Sequence, residues 1–309
     1  MLRTLSLFLT TVNPTFRYTF SCLCLALLLA TGGCASQTSP EANSLRSRFN
    51  ATLLILEKGD YNGAQLEFQK LTYTSRTTEY EDDVQFYLAE SYYKDRQFLL
   101  ALDAYQTLVR NIPSTPYVKA AVFQQGMCYL NLSPNYALDQ ENTKYAIQQF
   151  QAFIDTYPPP DTSAIETSIR EMTVNISADS LRSLAPLLQT YRSNYGLIDT
   201  LRMAEEKIKT GREKLARKNF EAARQYVLLE SYRSATLYFD EVIQNYSDSE
   251  FYERALLGKI DVLMIRQRWT EASEAIEKYE SRYPDRKAKV EAARRTVGNR
   301  TSVSTSNLK

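Results

Sequence analysis

Alanines recur in this chain at a fixed distance from large apolar residues, and this spacing limits the folds open to it. Ala64 and Ala101 lie 37 residues apart, as do Ala235 and Ala272. An aromatic residue stands three positions before each of the four alanines, and an aromatic residue or isoleucine stands four positions after it. A repeat of this length with helical apolar spacing predicts pairs of helices stacked into a solenoid.

The second of these units follows the tetratricopeptide (TPR) pattern of 34 residues. Its members at places 7, 8, 11, 17, 20, 24, 27 and 32 are Leu88, Ala89, Tyr92, Phe98, Ala101, Tyr105, Leu108 and Pro113. Small residues at the eighth and twentieth places let helices A and B cross closely, and the proline ends helix B. We therefore predict an all-α fold, a TPR solenoid of about five helix-turn-helix units with an inserted helical hairpin.

Two longer alanine spacings locate insertions. The spacing from the alanine of unit two to that of unit three grows to 45 residues, which places about eight extra residues near 132–139. It grows to 89 before unit four, which predicts an inserted hairpin or degenerate repeat over 160–197. A long helix is expected to follow from Thr200 to Leu228, and Pro186 is expected to kink the insertion or begin a turn there.

The beginning of the chain has the pattern of a secretory signal. Residues 1–17 carry two arginines and no acid, an apolar run follows over 18–30, and small residues then precede Cys34. This boundary resembles the bacterial lipobox, in which the cysteine becomes the acylated N-terminus, although Thr31 stands where leucine is usual. The alternative is an ordinary cleaved signal. By resemblance to bacterial sorting rules, Ala35 after the cysteine favours the outer membrane over the inner.

These features predict six consecutive segments. They are a signal peptide (1–33), a lipidated Cys34 with a polar tether (34–47), TPR units one to three (48–159), an inserted helical segment (160–197), a long helix with units four and five (198–290), and a polar tail (291–309). The tail is expected to fray from Val297 onwards. Cys128, within an apolar helix, is expected to be a small buried side chain.

The composition argues against several function classes. The 309 residues include no histidine, which removes Ser-His-Asp and Cys-His nucleophiles and the commonest zinc site. The nine glycines form no phosphate-binding motif, and the net charge of +1 argues against a nucleic-acid binder. We expect neither catalysis nor a cofactor nor a metal.

Two clusters of charge have simple structural interpretations. The acidic run of Glu79, Glu81, Asp82 and Asp83 fits the solvated first turn of a helix, where acids interact favourably with the helix dipole. The basic residues over 207–218 alternate with glutamates, which indicates a salt-bridged exposed helix rather than a nucleic-acid surface.

The A helices of such a solenoid line a concave groove. An apolar, aromatic groove suits an extended peptide with an aromatic anchor, although some of these side chains could instead pack against the neighbouring repeat. The candidate groove residues are Phe49, Phe86, Glu90, Tyr93, Lys94, Phe123 and Met127.

Two stretches resemble the BamD family of outer-membrane assembly lipoproteins, also called YfiO or ComL. One joins 126–130 to 138–158 and contains the Asp139-Gln140 element, and the other covers 212–249. The likeness extends over about 34–290 except near 160–197, a segment that the family usually lacks.

The resemblance implies a non-catalytic subunit of the machine that inserts β-barrel proteins. Such a subunit is lipid-anchored through Cys34 in the outer membrane of a diderm bacterium and faces the periplasm. Its N-terminal repeats hold the C-terminal signal of unfolded barrel precursors, and its C-terminal repeats dock the periplasmic domains of the barrel-forming subunit. The alternative is another periplasmic TPR lipoprotein, such as a pilus or secretin pilotin or a cell-division coordinator.

Overall fold

The computed structural model describes residues 44–174 and 178–306, and these residues form helices and short turns without a β-strand. The predicted signal peptide and Cys34 lie outside the described residues. The α-helices are α1 (Leu45–Glu57), α2 (Tyr61–Thr74), α3 (Glu81–Lys94), α4 (Phe98–Asn111), α5 (Val118–Leu132), α6 (Glu141–Thr156), α7 (Ser163–Val174), α8 (Ala178–Leu228), α9 (Tyr232–Asn245), α10 (Phe251–Ile265), α11 (Trp269–Arg282) and α12 (Glu291–Ser306), with a 3-10 helix over Pro284–Lys289. The all-α class predicted from the sequence is confirmed.

The helices pair in the predicted register. Helices α1/α2, α3/α4 and α5/α6 form units one to three, the end of α8 pairs with α9 as unit four, and α10/α11 form unit five. The alanine at the twentieth place of every unit is at most 1% exposed: these are Ala64, Ala101, Ala146, Ala235 and Ala272. Because a methyl group is all that fits there, helices A and B come into close contact at this point.

The turn between helices A and B is the same in four units. Gly59, Arg96, Glu230 and Gln267 each lie five residues before the buried alanine and have φ between 58° and 83°. In each turn the amide of the following residue donates to the carbonyl five residues back, at 2.9 to 3.2 Å. This bonding is that of a Schellman helix ending, which favours glycine but here uses a larger residue three times.

Glycines mark a further close approach in units three and five. A Cβ atom added at Gly126 would lie 2.7 Å from the ring of Phe150, and one at Gly258 would lie 2.5 Å from the ring of Phe239. Phe150 belongs to helix B of the same unit as Gly126, whereas Phe239 belongs to helix B of unit four, the unit before that of Gly258. Glycine therefore lets a B-helix phenylalanine reach the A-helix backbone.

Helix α8 links the N-terminal and C-terminal units. It has 51 residues, so it is about 76 Å long. It runs through the predicted domain boundary at 197 without interruption, and Pro186 lies inside it rather than beginning a turn. Its buried stripe contains Leu201, Ala204 and Leu215. The first two pack on unit three, and the end of the helix packs in the core of units four and five.

The two ends of the solenoid differ from the sequence expectation. The tail does not fray at Val297: α12 continues to Ser306 because Val290 and Val297 are buried in the C-terminal core. The guanidinium of Arg300 also lies 6.0 Å from the ring centre of Trp269. At the other end, the last three residues of the predicted tether belong to α1, which Ser44 caps by accepting from the amide of Ser47 at 3.2 Å.

Two further properties concern burial and the membrane. Cys128 is fully buried, as predicted, and burial raises the pKa of its thiol to about 12. Among the described helices, none is both long and apolar enough to cross a bilayer.

We expect Gly126→Ala to lower the free energy of unfolding by about 1–3 kcal/mol, because its methyl group overlaps the Phe150 ring. Gly196→Ala is the matched control, since a Cβ atom there has no neighbour within 4 Å. The control should be neutral or stabilising, because alanine favours helix more than glycine does. Urea unfolding followed by circular dichroism at 222 nm measures both variants, and equal effects would contradict the packing argument.

Candidate peptide-binding site

A cavity of about 440 Å³ lies between the A helices of units two and three and the long helix α8. Units two and three supply Phe86, Tyr87, Glu90, Pro116, Lys119, Ala120, Phe123, Gln124 and Phe153, and α8 supplies Ser193, Gly196, Leu197, Thr200 and Met203. Its volume falls within the range of about 300–1,000 Å³ that is typical of ligand pockets.

Phenylalanine rings give the cavity an aromatic surface. Phe86 stacks on Tyr117 with ring centres 4.3 Å apart. Phe123 lies 5.4 Å from Phe150 and 5.8 Å from Phe153, measured between ring centres. Phe86 and Phe123 are half-buried, so one part of each ring is fixed by neighbours while the remainder is accessible from the cavity.

The carboxylate of Glu90 is held in place by two donors. The hydroxyl of Tyr105 and the amide nitrogen of Gln124, the latter at 3.3 Å, both donate to Oε1. Burial raises the pKa of Tyr105, and the neighbouring Glu90 charge raises it further, so this phenol remains a donor. Among the described residues no donor meets Oε2 of Glu90, which leaves an acceptor for a ligand's amide group.

Lys119 adds a positive charge at the cavity rim. Its side chain is exposed, and its Nζ lies 5.6 Å from the ring centre of Tyr157. Within the described part of the chain it forms no salt bridge. A carboxylate bound beside the phenylalanines would therefore find an available cation.

Three of the predicted groove residues line this cavity together: Phe86, Glu90 and Phe123. Phe49 does not, and its assignment to the groove was wrong. It is 6% exposed and lies 5.8 Å from both Tyr80 and Tyr87, measured between ring centres. The side chains that follow α2 therefore cover it.

The remaining predicted residues lie elsewhere on the same helices. Tyr93 is half-buried, packs on Phe98, and accepts a hydrogen bond from the amide of Asn131 at 3.2 Å. Lys94 is exposed at the end of α3 and Met127 packs into the unit-three core, so neither lines the cavity.

The side of the cavity that α8 forms was not predicted as part of the site. The spacing of 193, 196, 197, 200 and 203 places these residues on one helix face, which was a usable signal. The spacing does not identify the part of the protein on which this helix face packs.

The Asp139-Gln140 element has a structural role in the same unit. Gln140 is 2% exposed, and its amide nitrogen donates to the carbonyls of Asn135 and Leu138 at 2.7 and 3.1 Å. Its amide oxygen accepts from the hydroxyl of Thr143 at 2.7 Å. Gln140 thus organises the extra loop between α5 and α6.

The basic residues of α8 hold this loop. Nζ of Lys214 donates to the hydroxyl of Ser133 at 2.5 Å, and Nζ of Lys218 donates to the carbonyl of Leu138 at 3.0 Å. The guanidinium of Arg217 lies 4.1 Å from the ring centre of Tyr136. The expectation of a solvated, salt-bridged helix was therefore incomplete, because half of this cluster contacts the loop of unit three.

The acidic run is likewise the first turn of a helix and also joins two units. Glu81, Asp82 and Asp83 begin α3, as predicted. Asp82 accepts from the hydroxyl of Thr115 at 3.0 Å, and Asp83 accepts from the hydroxyl of Tyr117. These bonds position Tyr117 for its stack on Phe86.

Gln140→Ala is expected to lower the free energy of unfolding by about 1–3 kcal/mol, because buried partners lose their hydrogen bonds. Gln148→Ala is the control, since Gln148 lies on α6, the helix that Gln140 precedes, and is exposed. Chemical unfolding compares the two. A Gln140 variant as stable as the control would show that the loop does not depend on this side chain.

Comparisons with known proteins give matches to solved structures and to one family model. Solved structures similar to the chain include a thermophilic TPR protein of Thermus thermophilus (13% identity, 81% of this chain, 97% of that chain, TM-score 0.31). Others are the TPR2AB domain of yeast Sti1 in complex with pHSP90 (11%, 82%, 96%, 0.30) and part of a TPR repeat-containing protein of Cytophaga hutchinsonii (15%, 89%, 96%, 0.32). A search of curated proteins gives no match. Residues 42–164 match the YfiO family model, described as an outer membrane lipoprotein, and this match confirms the resemblance predicted from the sequence.

Proposed function

We propose that this chain is a non-catalytic lipoprotein subunit of the machinery that assembles β-barrel proteins in the outer membrane, and that it binds unfolded barrel precursors. The observation that carries the proposal is the cavity of units two and three. It combines phenylalanine rings with a rim lysine, and its wall from these units lies within the region matched by the outer membrane lipoprotein family.

The chemistry of the cavity suits the end of an unfolded barrel strand. Such strands alternate apolar and polar residues and carry aromatic residues at the membrane interface. An aromatic side chain would lie against Phe86 and Phe123, a main-chain amide would donate to Glu90, and a terminal carboxylate would lie near Lys119. Burial of one aromatic anchor in a preformed pocket is the usual source of peptide affinity.

The remaining parts of the proposal concern the anchor and the second partner. Acylated Cys34 would hold the chain to the lipid bilayer of the outer membrane, facing the periplasm, through the tether before α1.

Units four and five would dock the periplasmic domains of the barrel-forming subunit. At their helix turns Leu228, Leu229 and Ile265 are 74%, 71% and 55% exposed, so apolar side chains would be accessible there to this partner. Neither a nucleic acid nor a cofactor enters this function.

Lys119→Glu tests the precursor site. A fluorescent ten-residue peptide of alternating polar and apolar residues that ends in phenylalanine with a free carboxylate should bind about tenfold more weakly, because attraction becomes repulsion. The same peptide with an amidated end should bind both proteins alike. Lys94→Glu is the control, since Lys94 is exposed outside the cavity. Fluorescence anisotropy gives the Kd, and equal weakening by both variants would refute the assigned role of Lys119.

Cross-linked affinity capture tests the assembly role and the anchor together. The tagged chain in the membrane fraction should capture an outer-membrane barrel protein with periplasmic repeat domains, identified by mass spectrometry. Cys34→Ser should move the chain to the soluble fraction. Capture of a secretin or a peptidoglycan synthase instead would assign the chain to another class of periplasmic TPR lipoprotein, and unchanged membrane association of the variant would refute acylation as the anchor.

A further inference from the structure

A groove built by A helices alone would be open, but the groove of units two and three is covered on one side. Helix α8 lies across it, and five α8 residues face the same cavity as Phe86 and Phe123. We propose that this helix face, here called the α8 wall (Ser193, Gly196, Leu197, Thr200 and Met203), is a second specificity-determining surface of the peptide site. This proposal rests on the proposed function.

The α8 wall is held in position by buried residues on the same side of the helix. Leu201 and Ala204 are buried against Phe150 and Phe153 in the core of unit three. Leu201 lies four positions after Leu197, and Ala204 lies four positions after Thr200. Since side chains four positions apart share one face of a helix, this packing on unit three fixes the rotation of α8 and turns the wall toward the cavity.

Helix α7 supports the same segment from outside. It packs on α8 alone among the described helices, and its Glu166 accepts a hydrogen bond from the hydroxyl of Tyr195 at 2.6 Å. Tyr195 also packs on Tyr191, with ring centres 4.3 Å apart. These contacts hold Tyr195, the residue next to Gly196, so α7 stabilises this segment of α8.

Gly196 gives the wall room for a ligand. A glycine within a helix costs about 1 kcal/mol relative to alanine, so its use here calls for a reason. No atom lies within 4 Å of a Cβ added at this position, in contrast to Gly126 and Gly211, where neighbouring side chains fill the space. The open space belongs to the cavity, and it lets a peptide main chain approach the helix closely.

The other wall residues define the chemistry of the occupant. Leu197 and the 40% exposed Met203 extend the apolar surface opposite the phenylalanines, and a thioether adapts well to aromatic rings. The wall contains no charged residue. Lys119 forms no salt bridge within the described residues, so its charge is available to a ligand. The occupant is thus an extended unfolded segment whose aromatic side chain precedes a free C-terminal carboxylate.

Filling the open space tests the α8 wall. Gly196→Leu should weaken binding of the phenylalanine-terminated peptide at least tenfold in the full-length, processed chain kept in detergent. Gly298→Leu is the matched control, because Gly298 is an exposed helical glycine on α12 whose added Cβ also has no neighbour within 4 Å. The control should bind as the wild type does. Met203→Glu, which places a carboxylate in the cavity, should weaken binding as well and covers the case in which Gly196→Leu does not fold.

The outcomes separate the two proposals. Weakening by Gly196→Leu or Met203→Glu, with helical content and unfolding midpoint unchanged, supports the α8 wall. Wild-type affinity in both of these variants, with Lys119→Glu still impaired, overturns the wall and leaves the proposed function intact. A wild-type chain that does not bind the peptide overturns both.

Discussion

Close contact between the two helices of each unit is the constraint on which the structure depends. It requires a residue no larger than alanine at one point of helix B, and all five units meet this requirement. Once the helices touch there, aromatic side chains fill the space on either side of the crossing, and each unit presents an apolar face to the next. A single unit cannot bury that face, so the stack is stabilised mainly by neighbours.

The parts of the fold that sequence reasoning predicted are those with a period. Each buried alanine is followed four positions later by a large apolar residue, so five units could be placed without a structure. The helix endings at Arg96, Glu230 and Gln267 carry no such signal, because a left-handed residue other than glycine cannot be recognised by type. The final helix was missed for a similar reason, since two valines seven residues apart are too few to establish a pattern.

The candidate site was predictable only on one side. The repeat register identified Phe86, Glu90 and Phe123, because their places in the unit fix the surface they face. It failed for Phe49, whose ring is covered by tyrosines of the following unit. The opposite side comes from an insertion outside the repeat. Its helical spacing gives an apolar face, but the partner of that face depends on how the chain folds back.

The continuous α8 helix has a mechanical consequence. From Gly196 beside the cavity to Leu228 at the turn of unit four, the helix advances about 48 Å, at 1.5 Å per residue. A helix of fixed length therefore separates the cavity from the turn of unit four, and under the proposed function it would separate the bound precursor from the docked subunit. If the C-terminal units tilted, the cavity at the other end of this helix would move with them. Docking of a partner at units four and five would therefore set the position of a chain bound in the cavity.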